Sequence, residues 1–194
     1  MSSDLPKTRT RILDCTWNLL ESGDKKVRMS DIAKAVGISR QALYLHFPTR
    51  AELLVATTRH IDSVKKVDER LAESRAATSG RARLRGFIKA WGGYIPEIHG
   101  MAVALRAMRD SDTEAAAAWD ERMQAVRHGC AAATRALAAD EALKPELSED
   151  TATDLLWTIL SVENWERLVR DCGWSQERYI KSITRLAETA LAGK

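Results

Sequence analysis

The chain has 194 residues, 45% hydrophobic and 29% charged, with a net charge of +3, the balance of a soluble globular protein with room for a sizeable core. It contains no run of about 18 apolar residues, which argues against a membrane span, and the polar start from Met1 to Arg11 lacks the apolar stretch of a secretory signal. The cysteines Cys15, Cys130 and Cys172 lie far apart with no CxxC pair, as expected of a reduced, cytoplasmic chain.

The elements in chain order are all helical. Ile12, Thr16 and Leu19 or Leu20 recur at helical spacing and predict a helix from about Thr8 to Ser22, closed by Gly23. A short helix follows from about Ser30 to Val36, ended by Gly37. Ser39 caps another that runs through Phe47 and stops at Pro48. Thr49 and Glu52 form a capping box for a fourth helix, whose seam runs Leu54, Thr57, Ile61, Val64, Leu71. A fifth is expected from Arg81 to about Trp91, weakened by Gly92 and Gly93 and ended or kinked by Pro96.

Ser111 and Glu114 read as a second capping box, opening an alanine-rich helix that reaches about Ala139. Ser148 starts a helix that continues to Gly173. Ser175 then caps a last helix to about Ala192. No segment shows the sustained alternation of a strand, so the expected class is all-α. The expected organisation is a three-helix N-terminal domain over residues 1–50 and a larger helical domain over residues 51–194.

Charge is unevenly spread. Residues 1–50 hold nine Lys or Arg against five Asp or Glu, while the remaining residues are nearly balanced. A basic excess confined to one end suits a small polyanion-binding module. Residues 27–55 explain how it would bind. Two short helices joined through Gly37 have the form of a helix-turn-helix, with Ile32, Ala33 and Val36 able to pack on Leu43 and Phe47. Arg40, Gln41, Ala42, Tyr44 and Leu45 are left to point outward. Arg and Gln are the side chains that read guanine and adenine edges in the major groove.

From Ile12 through Val55 the sequence resembles the TetR family of repressors. The resemblance is carried by Ile32-Ala33, Gly37-Ile38-Ser39, Leu43-Tyr44, His46-Phe47 and Thr49-Arg50. It implies that the second motif helix, opened by Ser39, enters the major groove of an operator. By the same resemblance Arg40, Gln41 and Ala42 face bases, and Tyr44, His46 and Arg50 hold phosphates. Arg28 stands near a cap position where the family often has Thr, and would supply a further phosphate contact. Asp24 follows Gly23 where the family often has an aromatic residue.

The C-terminal stretch resembles one variant of the family through Leu156-Trp157, Ser161-Val162, Leu168-Val169, Gly173-Trp174-Ser175 and Tyr179. There the resemblance implies a homodimer built by the last two helices. Leu155, Ile159, Val162, Ile180, Ile183, Ala187 and Leu191 are the interface candidates, because they cover more than one narrow apolar stripe. Trp91, Tyr94, Trp119 and Trp157 are the candidates to line a small-molecule pocket, with His99, Arg106, Glu163 and Asn164 as polar groups.

Other functions find less support. The chain has no Gly-x-Ser-x-Gly elbow, no His-Glu-x-x-His and no glycine-rich phosphate loop, and His128 with Cys130 lacks further metal ligands. Neither an enzyme nor a metal or other cofactor is expected. A helical adaptor without DNA binding would leave the basic motif end unexplained.

Overall fold

The computed structural model describes residues 5–22 and 27–193; Gly23 and Asp24 lie outside them. The described residues form ten α-helices and no strands. They are α1 (Leu5–Glu21), α2 (Met29–Val36), α3 (Arg40–His46), α4 (Arg50–Val64), α5 (Val67–Arg75), α6 (Gly80–Met108), α7 (Thr113–Ala139), α8 (Glu149–Ile159), α9 (Val162–Trp165) and α10 (Gln176–Leu191), with a π-helical segment Glu166–Asp171 before the last. The all-α expectation holds.

Contacts divide the chain into two compact units. The first comprises residues 1–65 and 98–122, the second residues 66–97 and 123–194. The division runs differently from a cut at residue 50: α4 and the segment 98–122 group with α1–α3. Helices α6 and α7 each contribute residues to both units.

In the first unit, apolar side chains at helical spacing close one core. Ile12 and Leu20 of α1, Ile32 of α2, Leu43 of α3 and Leu53, Leu54 and Ile61 of α4 are fully buried. The fourth helix ends sooner than its seam suggests. Val64 is half exposed and Lys66 takes a left-handed conformation (φ 55°), so Leu71 belongs to the separate helix α5.

In the second unit the helices approach closely. A Cβ on Gly129 of α7 would lie 2.3 Å from the Phe87 ring of α6, so any larger residue at that crossing would force the ring to shift. The hydroxyls of Thr134 and Thr153 meet at 2.8 Å inside the core, each satisfying the other. Cys130 is buried, and burial pushes its thiol up to about 12, so it packs as a small apolar group rather than reacting.

Three expectations are corrected. Pro96 does not end its helix: α6 runs unbroken from Gly80 to Met108. Proline lacks the amide that would bond the carbonyl four residues back, which is that of Gly92. The Gln176 side chain of α10 supplies the missing donor, its Nε2 lying 2.6 Å from the Gly92 oxygen. Gln176 Oε1 in turn accepts from the Trp165 indole at 2.8 Å. Second, the cap of α7 is Asp112, not Ser111. Asp112 Oδ1 accepts from the amides of Glu114 and Ala115 at 3.1 Å, and Ser111 bonds back to the Met108 carbonyl. Third, the helix expected from Ser148 to Gly173 breaks after Ile159, where Ser161 recaps the chain. The carbonyls freed there are taken by side chains: Asn164 donates to Thr158 at 2.7 Å and Trp91 to Leu160 at 2.8 Å.

Gln176→Ala should remove one hydrogen bond from the Gly92 carbonyl and one from the Trp165 indole at once, and cost about 1–3 kcal/mol in urea unfolding. Pro96→Ala restores an amide opposite Gly92, so the cost of Gln176→Ala measured in that background should be smaller.

Candidate DNA-binding surface

The turn between α2 and α3 is set by Gly37, whose backbone is left-handed (φ 76°, ψ 36°). Its amide and that of Ile38 both bond the Ala33 carbonyl at 3.0 Å. Ser39 then starts α3 by accepting the Ala42 amide at 3.1 Å. Ile32, Ala33, Val36, Leu43 and Phe47 are buried and clamp the pair of helices together. Phe47 leaves helical geometry, and Thr49 caps α4 by accepting the Glu52 amide at 3.1 Å.

Helix α1 braces this motif through two arginines. Arg11 donates to the Val36 carbonyl at the end of α2, and Arg9 to the His46 carbonyl at the end of α3, both at 2.8 Å. The Arg9 guanidinium also lies 4.1 Å over the Phe47 ring. Cations at helix C-termini satisfy orphan carbonyls and oppose the helix dipole. Part of the basic excess in the first 50 residues therefore serves the fold.

The outward face of α3 presents Arg40, Gln41, Tyr44 and Leu45, while Ala42 and His46 are half-buried. Ser39 is exposed, with its hydroxyl engaged in the cap. Arg28 is exposed just before α2, and its amide donates to Asp31 at 3.3 Å. Arg28, Arg40, Tyr44 and Thr49 line one wall of a cleft of about 690 Å³, with Met108, Ser111 and Asp112 on another. Arg40, expected among the base-facing residues, thus shares a side of α3 with the residues expected at phosphates.

Arg50 is the residue whose setting differs most from expectation. Its side chain is only 12% exposed. Nε donates to the Val27 carbonyl at 2.6 Å, and Nη1 to Asp112 Oδ2 at 2.6 Å, with Glu114 at 3.6 Å and the Met108 sulfur at 3.6 Å from Nη2. Asp112 therefore spends one carboxylate oxygen capping α7 and the other on Arg50. Two further ion pairs join α4 to the start of α7, Arg59 with Glu121 and Asp62 with Arg122 at 2.5 Å. The sequence signal for this lay one residue off: the acid at 112 was overshadowed by the Ser111–Glu114 pattern.

Among the residues expected at a dimer interface, Val162, Ile183, Ala187 and Leu191 are buried within the single chain. Leu155 is 40% exposed, Ile159 and Ile180 are half-buried, and Leu186, which the sequence reading did not single out, is 51% exposed. In the second unit Trp91 and Tyr94 meet edge to face with centroids 6.1 Å apart, and Trp157 is half-buried. Trp119 is buried and falls in the first unit. Of the polar candidates, Asn164 is committed to the Thr158 carbonyl.

Two helices joined by a left-handed glycine, with arginine, glutamine and tyrosine facing outward from the second, define a helix-turn-helix DNA-binding protein. Residues 12–57 match the model of the bacterial regulatory proteins of the tetR family. The whole chain shares its fold with solved structures. A protein from Saccharomonospora viridis, described as a transcriptional regulator and solved in complex with choline, aligns with TM-score 0.74 and 18% identity over 97% of this chain and 100% of its own. A TetR transcription regulator from Haloarcula marismortui aligns with TM-score 0.70 and 17% identity over 97% and 100%. The transcriptional regulator FadR from Bacillus subtilis, in complex with stearoyl-CoA, aligns with TM-score 0.73 and 15% identity over 92% and 96%. No curated protein sequence matches. Residues 12–57 thus match the tetR family of bacterial regulatory proteins, and the chain as a whole has the fold of these solved regulators.

Asp112→Ala should destabilise the protein by about 2–4 kcal/mol, combining a lost cap with the loss of the nearest carboxylate to a mostly buried guanidinium. Asp112→Asn keeps the capping oxygen and should cost less than Asp112→Ala. Urea unfolding of the two variants checks the order.

Proposed function

We propose that this protein is a homodimeric repressor that is released from operator DNA by a small organic effector. The exposed face of α3, with Gln41 at its centre and Arg28, Arg40 and Tyr44 beside it, is the observation that carries the reading. In this proposal Gln41 and Ala42 address base edges, while Arg28, Arg40, Tyr44 and His46 grip the phosphate backbone with the Ser39-capped end of α3. Arg50 acts by positioning: its pairs with Val27 and Asp112 fix the start of α4 against the motif.

A pseudo-palindromic operator calls for a two-fold protein with reading heads about 34–36 Å apart. The exposed Leu155 of α8 and Leu186 of α10, flanked by the half-buried Ile159 and Ile180, are the proposed contact with the second copy. Effector binding falls to the helical body. Two proteins of the same fold were solved holding organic ligands, which supports a ligand-responsive body here. Trp91, Tyr94, Trp119 and Trp157 are the proposed reporters of its binding.

Duplex DNA binding should fall steeply with salt, and Arg28→Ala should lower both affinity and salt slope for all sequences alike. Gln41→Ala should instead relax base preference at one position per half-site, by about 1–3 kcal/mol. Salt-independent binding in anisotropy titrations would defeat the reading. Leu155→Glu with Leu186→Glu should give folded monomers in sedimentation. Ile183→Glu, by contrast, buries a charge inside one chain and should unfold it. Effector and operator should weaken each other by one common factor, equivalent to about 1–3 kcal/mol. Calorimetry with and without operator, alongside tryptophan fluorescence, measures it.

A further inference from the structure

Leu45 sits on α3 and is 84% exposed, far beyond any other large apolar side chain among the described residues. A single exposed leucine on an ordinary surface needs no explanation. This one lies on the helix that carries the DNA-reading side chains, between the buried Leu43 and Phe47 in sequence but on the opposite face.

The placement around α3 divides its outward face in two. At 100° per residue, Arg40 and Tyr44 fall within 40° of each other, and Gln41 and Leu45 likewise, with the second pair displaced from the first by 100°. Arg40 and Tyr44 line the cleft shared with Arg28 and Thr49, the groups suited to phosphate. Neither Gln41 nor Leu45 lines that cleft. The half of α3 turned away from the phosphate side thus carries one amide able to bond a base edge and one branched apolar group with nothing to bond.

The major groove offers one apolar feature, the C5 methyl group of thymine. A leucine next to Gln41 cannot form a hydrogen bond with any base edge, and burying it against a polar edge would strand that edge's donors or acceptors. Against a thymine methyl it loses nothing and removes apolar surface from water. We infer that Leu45 is a specificity-determining residue that reads the C5 methyl of one thymine in each half-site, next to the base addressed by Gln41. The inference rests on the DNA-binding reading above.

The test begins with duplexes selected from a random library by the full-length wild-type chain. Each thymine of the preferred duplex is then replaced singly by uracil, which pairs identically and lacks only the methyl. Binding is measured at fixed salt for wild type, Leu45→Ala and Arg40→Ala. At one thymine per half-site uracil should weaken wild-type binding about fourfold, the worth of one buried carbon group. The same replacement should leave Leu45→Ala unaffected, while Arg40→Ala retains the fourfold loss. If every uracil penalty survives in Leu45→Ala, Leu45 reads no methyl and the inference falls while DNA binding stands. If the library yields no preferred duplex, the sequence-reading role of α3 falls with it. Leu45→Ala removes a side chain that is 84% exposed, so nearly unchanged thermal unfolding is expected and identifies any loss as one of recognition.

Discussion

The helix-turn-helix unit of this protein is tied together at one guanidinium. Arg50 opens α4, yet its side chain faces inward, bonding the Val27 carbonyl ahead of α2 and the Asp112 carboxylate ahead of α7. Three stretches distant in sequence meet at five nitrogen-bound hydrogens held in a rigid fork. Lysine could not replace it, because a point charge cannot direct bonds along several fixed axes. Taking the pair out of water is costly, and Asp112 offsets this by capping a helix with its other oxygen. The Arg59–Glu121 and Asp62–Arg122 pairs repeat the same connection further along α4. Residues 98–122 consequently belong with the helix-turn-helix as one compact unit.

Much of this was legible in the sequence, where local rules and tertiary demands agree. Gly37, Ser39 and Thr49 announced a turn and two caps, and each does that job. The seam of the last helix was legible in part: Ile183, Ala187 and Leu191 are buried, but the fourth buried member is Tyr179, while Ile180 is half-buried. What the pattern could not say is whose core they fill. Apolar spacing reports that a face is covered, not whether its own chain or a copy covers it. Ile183 and Leu191 are therefore consumed within the chain, and on α8 and α10 the exposed large apolar groups are Leu155 and Leu186.

Where structure and expectation differ, a local signal meets a distant partner. Arg50 was expected at a phosphate, and the carboxylate it pairs with lies 62 residues away. Ser111 with Glu114 had the form of a cap, but Asp112 carries both the geometry and the charge that Arg50 requires. Arg9 and Arg11 counted toward a DNA-binding footprint, yet their guanidinium groups close the ends of α2 and α3. Leu45 was visible as an outward position, but only accessibility sets it apart from its neighbours.

Pro96 carries a consequence for mechanics. A helix normally resists bending because each turn is laced to the next by its own backbone. Where Pro96 interrupts the lacing of α6, the replacement bond comes from Gln176, 84 residues from the Gly92 it binds and itself held by Trp165. The bending compliance of α6 at that turn is thus a property of α10, not of α6 alone. A rotation of one amide group on α10 would soften the longest helix in the chain.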